Sequence, residues 1–413
     1  MDFGVILFVT GNKTILQVTT QPQLRYYTEN SPIPSKMQSL ADCGCTIGEP
    51  VRLVGIILGF IAISVPSCAL GQSVTIMQLR EFLLDQHKSK NSDKETASRL
   101  SSATLSEQLT DQALSRIITE TMSGPESVEQ LRLLADESIF VAPPSGESLS
   151  PPSPSLQAQQ SMVRAGTEYA QGALQHLPNF LAIRHTRRFD NTPQKSGDKH
   201  AQPKIQLHWA GEFKNEIAFR NGTELTDNAP AQHMTSTIHD GFTSNGEFGP
   251  ILLEVVRDFE QGSIEWARWE IDPEYGQLAV FHYAVPKSAS HYLVDFCCYI
   301  DPESGANLSF RDLPAYHGEV VLNPDSGVIR RITIQADLDD SALVLKSNLA
   351  VEYGTVEIGG QAYVCPVRSI ATTALHNLQM KRVDGIGIER HLNEVHYIDY
   401  HKFGSAHRII ATP

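Results

Sequence analysis

The sequence lacks the short motifs that announce common chemistries: it has no HExxH pair, no Walker loop, no GxGxxG turn and no GxSxG nucleophile elbow. No catalytic residue, metal ligand or cofactor site is therefore assigned from motifs. Charged residues are few, 19% of the 413, and the balance is of one sign, with a formal net charge of −14. Residues 1–71 carry four basic groups (Lys13, Arg25, Lys36, Arg52) and four acidic ones (Asp2, Glu29, Asp42, Glu49), so the remainder holds the whole excess. Phosphate backbones repel a body this acidic, which argues against nucleic acid as a partner. Hydrophobic residues at 41% are still enough for a globular core.

Cysteine is also scarce. Cys43, Cys45 and Cys68 fall before or within a leader-like stretch, which leaves Cys297, Cys298 and Cys365, too few for a disulfide scaffold. These three are either small core residues on strands or one bridge from Cys365 to a member of the adjacent pair.

No apolar run reaches the roughly 20 residues that span a bilayer. Leu53–Val65 is instead a short uncharged run, preceded by Arg52, ended by Pro66 and followed by Ser67, Ala69 and Gly71. That order matches a secretory signal peptide with cleavage after Ala69 or Gly71, so export is expected, to the periplasm or the outer membrane. Once the leader is removed, no transmembrane span is expected. Val65-Pro66-Ser67-Cys68 loosely matches a lipobox that would anchor Cys68 to lipid, but Pro66 speaks against it. Residues 1–50 are long and weakly charged for the front of a leader. The expectation is that translation starts at position 51 and that 1–50 are spurious.

After the leader, 72–141 has apolar residues at helical spacing: Ile76, Leu79, Phe82, Leu83, then Leu100, Leu105, Leu109, Leu114, Ile117, Ile118, Leu131 and Leu134. A small helical bundle is predicted, with a capping box at Thr104–Glu107 and a stop-and-restart at Ser123-Gly124-Pro125. Its narrow stripes suit either mutual packing or a protein partner. Residues 142–155 form a Pro-rich linker. A helix follows over about 157–176. From Phe180 onward β-branched and aromatic residues alternate with polar ones, with turns at Asn323–Gly327 and Ile358–Gly360 and one helix within Phe248–Phe259. The fold class expected is α+β: an N-terminal small helical bundle, then over 156–413 a curved antiparallel β-sheet, a half barrel, with helices on one face.

Fifteen histidines invite a metal reading, but on a regular strand His391, His396 and His401 would alternate between faces. The aromatic set Trp266, Trp269, Phe281, Tyr283, Tyr292 and Phe296, with Tyr299, is the better candidate site. Alternation places several of them on one sheet face, either as core beneath helices or as the lining of an apolar ligand cavity. Trp266 and Trp269, three apart, should face opposite sides of a regular strand.

Several stretches resemble an uncharacterised family of secreted bacterial proteins: Leu105–Thr110, Leu133–Asp136 with Phe140 and Pro143-Pro144, Leu177–Phe180, Arg188-Phe189, Gly246–Gly249, Trp266–Trp269 and Tyr400–Phe403. That resemblance brings no catalytic residue. Tyr316–Val320, Asn323–Gly327, Ile329–Ile332, Val351–Tyr353, Ile358–Gly360, Tyr363 and Pro366 resemble the hairpins of outer-membrane lipoprotein carriers and envelope-stress sensor domains. The resemblance implies a half-open barrel that holds lipid or acyl chains. The two-helix front and the insert at 301–315 depart from simple carriers. The function expected is a non-enzymatic exported binding protein holding a lipid or other hydrophobic ligand. The alternative is a cell-envelope scaffold or sensor that binds a protein through its helical front.

Overall fold

The computed structural model describes residues 5–6, 73–144, 152–192, 206–221, 223–226, 247–248, 250–300, 305, 307–377 and 387–402. The expected leader, its cleavage site, Cys68 and the proposed start at 51 lie outside the described residues. Val5–Ile6 (β1) pairs in parallel with Tyr292 and Leu293.

Four helices come first: α1 (Ile76–Lys88), α2 (Asp93–Leu100), α3 (Asp111–Thr121) and α4 (Pro125–Ser138). They share an apolar cluster that includes Leu79, Leu83, Leu100, Ile117, Leu131 and Leu134. Local chemistry sets their ends. Thr75 caps α1 in a reciprocal box with Gln78, and Thr110 caps α3 through the Ala113 N–H. Gly124 precedes Pro125 at the first position of α4. Asp93 reaches across from α2 and accepts hydrogen bonds from the Glu126 and Ser127 amides at 2.8 and 3.0 Å. The capping box expected at Thr104–Glu107 is absent, because Thr104–Leu105 (β3) pairs with Ser73–Val74 (β2). Glu107 instead accepts from the Ile76 amide.

A long helix, α5 (Leu156–His176), leads into the sheet strands β4 (Phe180–Asp190), β5 (His208–Arg220) and β6 (Thr223–Thr226). The helix α6 (Pro250–Phe259) follows, then β7 (Ser263–Asp272), β8 (Gly276–Val285) and the hairpin β9 (Tyr292–Ile300) with β10 (Asn307–Asp312). The chain continues as β11 (Ala315–Leu322), β12 (Ile329–Asp337), β13 (Val344–Ile358), β14 (Gln361–His376) and β15 (Ile388–Lys402). Ten strands form one antiparallel sheet, not closed into a barrel, in the order β6-β5-β4-β15-β14-β13-β12-β11-β8-β7. The order is a run of sequential hairpins with two departures. The first strand pairs with the last, β4 with β15, and β9–β10 leaves the sheet so that β8 pairs directly with β11.

Helices cover both faces, which corrects the expectation of one covered face. On β13 and β14 the neighbours Val351 and Ala371 join the cluster with α5, α6 and β9. The adjacent Ala350 and Ile370 join Leu133, Ile139 and Phe140 of the α4 region on the opposite side. Side chains alternate across a strand, so apolar residues at consecutive positions demand a cover on each face. The turn Asn323–Gly327 lies against α5. A Cβ on Gly327, where φ is +71°, would sit 2.4 Å from the Ala165 carbonyl, so only glycine permits both the turn and the contact.

Candidate functional site

The six aromatic candidates fall on one sheet face and on the β9 hairpin that packs over it. Phe281, Tyr283, Tyr292 and Phe296 are buried and packed with Val255, Phe259, Tyr316 and Ile332. The Tyr283 hydroxyl donates to the Thr333 carbonyl at 2.6 Å, passing over Gly318 where any Cβ would collide. Burial pushes the Tyr292 phenol up to about 12. These four side chains are core. Tyr299 belongs to β9, but its side chain lies outside the described ones.

Trp266 and Trp269 are half-buried at the sheet's β7 edge. They do not face opposite sides. The ladder with β8 shifts between Trp266 and Arg268, so Trp266 pairs with Phe281 and Trp269 with Ala279, two positions on the same face. Ala267 is the extra residue of a β-bulge, which changes the parity of everything after it. The two indoles meet edge to face with centroids 4.7 Å apart, and Trp266 meets Phe281 at 5.4 Å. The same register carries Ile264 and Ile271 onto this face, so β7 presents an apolar row along the margin. Ile271 is 59% exposed. Trp269 donates to the Pro152 carbonyl at 3.4 Å, and Met162 and Val163 of α5 pack nearby against the same cluster.

A polar layer lies deeper under the same face. Arg184 on β4 and Glu247 are fully enclosed with 3.6 Å between charged atoms. The Tyr397 and Tyr353 phenols nearby are held well above their usual range by burial, with Glu247 adding to the rise.

Sequence reasoning missed Asp258, on the last turn of α6. It accepts from His291 Nδ1 at 2.6 Å, from the His291 amide at 2.8 Å and from the Tyr316 hydroxyl at 2.9 Å. A buried carboxylate that orients an imidazole is half of a nucleophile-activating arrangement. Among the described residues the neighbouring Ser290 hydroxyl has no hydrogen-bond partner, and it does not complete the arrangement. The only sequence trace was Glu254 and Asp258, four apart within the apolar Ile251–Phe259 stripe and both buried.

A second bulge, at Asp399 with φ +56°, shifts β15 between Ile398 and His401. His396 pairs with His185 and His401 with Leu181, so these two histidines share a face, contrary to the regular-strand expectation. Among the described residues no group of three or more His, Cys, Asp or Glu is placed to hold a metal. Cys365 is a free buried thiol, so the expected alternative of a bridge from it is not formed, and burial pushes its pKa up to about 12. The side chains of Cys297 and Cys298 lie outside the described ones. No helix among the described residues is long and apolar enough to cross a membrane. No family model, no curated protein and no solved structure matches this chain.

Proposed function

We propose that the protein is a non-enzymatic, exported binding protein of the cell envelope, and that its open sheet acts as a half barrel that takes a hydrophobic chain along the margin between β7 and α5. The observation that carries this reading is the row Ile264, Trp266, Trp269 and Ile271, which the Ala267 bulge sets on one face at the sheet edge. Leu156, at the start of α5 and four residues after the Pro152 carbonyl that accepts from Trp269, is 69% exposed. The buried aromatics Phe281, Tyr283, Tyr292 and Phe296 are the core behind this margin and hold it in place. The resemblance to lipoprotein carriers points to the same ligand class, an acyl chain or lipid.

The test is tryptophan quenching by brominated acyl chains. Trp209, 58% exposed on β5, is replaced by Phe so that only the margin pair reports. Saturable quenching that Trp269→Ala reduces is expected. Absence of quenching, together with no lipid in native mass spectra of the purified chain, rejects the reading.

One observation favours a second reading, a scaffold that binds a protein through the helical front. Met77 and Met122 are 70% and 76% exposed on α1 and just after α3, helices tied by the Arg80–Glu120 ion pair. Exposed methionines suit adaptable protein interfaces. Pull-downs with Met77→Glu and Met122→Glu that retain every partner would reject it.

A further inference from the structure

A cleft of about 230 Å3 opens where the segment after α2 meets α4, β15 and Leu207. Its floor is apolar, made by Leu133, Leu134 and Leu207, all buried. One end is charged. Glu137 Oε1 pairs with Arg390 Nη2, and the Arg390 side chain remains 46% exposed. Among the described residues, one carboxylate oxygen of Glu137 and the Nε and Nη1 donors of Arg390 take no further hydrogen bond. Gln130 and Gln206 add amide groups to the walls.

We propose that this cleft binds a free α-amino acid with an aliphatic side chain. The ligand carboxylate takes the open edge of Arg390, its ammonium takes Glu137 Oε2, and its side chain lies on the three leucines. Arg390 repels a ligand that bears only a positive charge, and Glu137, with Arg390 and Lys346 beside it, gives the ammonium of a zwitterion an anionic contact that a simple carboxylate cannot use. Among the described residues no aromatic ring lines the cleft, so a sugar finds no stacking platform there. Size agrees as well. A cavity of about 150 Å3 takes benzene, so one of about 230 Å3 accommodates about nine heavy atoms, the size of leucine. The site lies on the α4 side of the sheet and is independent of the hydrophobic margin.

Calorimetric titration of the full chain with L-leucine, butyrate, butylamine and glucose tests the proposal. Leucine is expected to bind saturably, with each singly charged analogue at least about tenfold weaker, since loss of either charge contact is worth about a factor of ten. Arg390→Gln should weaken leucine to the level of the amine. Ser102→Trp, which fills the cleft from an exposed position, should abolish binding while leaving the melting temperature unchanged; Thr104→Trp substitutes if that variant is unstable. No leucine binding up to about 10 mM, equal affinity for butyrate or glucose, or binding that survives a filled cleft would each overturn the assignment.

Discussion

The two faces of the sheet are held by different physics. Beneath α5 and α6 most contacts are apolar and aromatic, with Tyr316, Phe281, Val255 and Ile332 almost wholly buried. Beneath α4 the apolar patch is small, and carboxylates meet guanidiniums around it: Glu129 on Arg187, Asp136 on Arg368 and Glu137 on Arg390. Arg368 also approaches Glu352 and Glu394 at 3.4 and 3.6 Å. The first face gains from area removed from water, whereas the second sets Coulomb attraction against desolvation and so confers position more than net stability. Burial lifts the Asp136 carboxyl to about 8 against the pull of Arg368, and Glu394 and Glu352 add to the rise.

The largest effects come from breaking each face at its centre. Phe281→Ala should cost roughly 3–5 kcal/mol through the cavity it leaves. Measured at about pH 9, where the Asp136 carboxyl is ionised, Arg368→Ala should cost a similar 3–5 kcal/mol, for a different reason: it strands a buried carboxylate. Urea titrations of both variants measure this, and the double variant Arg368→Met with Asp136→Leu separates the causes. It should return to within about 1 kcal/mol of the parent, since an apolar pair removes the desolvation cost together with the attraction. A double variant as weak as Arg368→Ala would show that net charge attraction holds this face.

The tryptophan pair sharpens the account of the other face. Because the bulge brings Trp266 and Trp269 together, a double-mutant cycle should give about 0.5–1.5 kcal/mol of coupling. Strict additivity would mean that the strand is regular there.

Acidity distinguishes the faces next. A carboxyl raised to about 8 keeps its proton in the folded state, so stability should fall as pH rises from about 4 to 8 and level off above that. Asp136→Asn should flatten this slope in thermal melts. Glu394 acts in the opposite sense: hydrogen bonding from His396, with Arg368 and Arg187 beside it, outweighs burial and lowers it to about 2, so its contribution disappears as pH drops from about 4.5 towards 2. The smallest effect concerns Cys365, whose buried thiol should resist labelling at pH 8 until urea unfolds the chain.

Much of the local structure was legible from the residues. The Asn323–Gly327 turn, the break at Gly124-Pro125 and the stretch that became α5 all rest on short-range chemistry, a fixed φ, a missing N–H or a period near 3.6. β10, with Asn307-Leu-Ser-Phe-Arg-Asp312, escaped notice because it has little β-branched character and pairs only with β9 outside the main sheet. Of the candidate site, the shared aromatic face could be read from alternation. The partition of that face into four core residues and a two-residue margin could not, because it depends on where α5 and α6 lie.

What the sequence by itself determined is the set of elements and the alternation within each, since both depend on residues a few positions apart. Only the tertiary structure decided parity and partnership. One extra residue at Ala267 reverses which side every later side chain of β7 takes, and it leaves no hydrophobic signature of its own. The contact of Asp136 with Arg368 joins positions 232 apart, and that of Asp258 with His291 joins positions 33 apart. Nothing local distinguishes those carboxylates from solvated ones. Burial in the assembled layers gives them their partners, and burial exists only once the whole chain has folded.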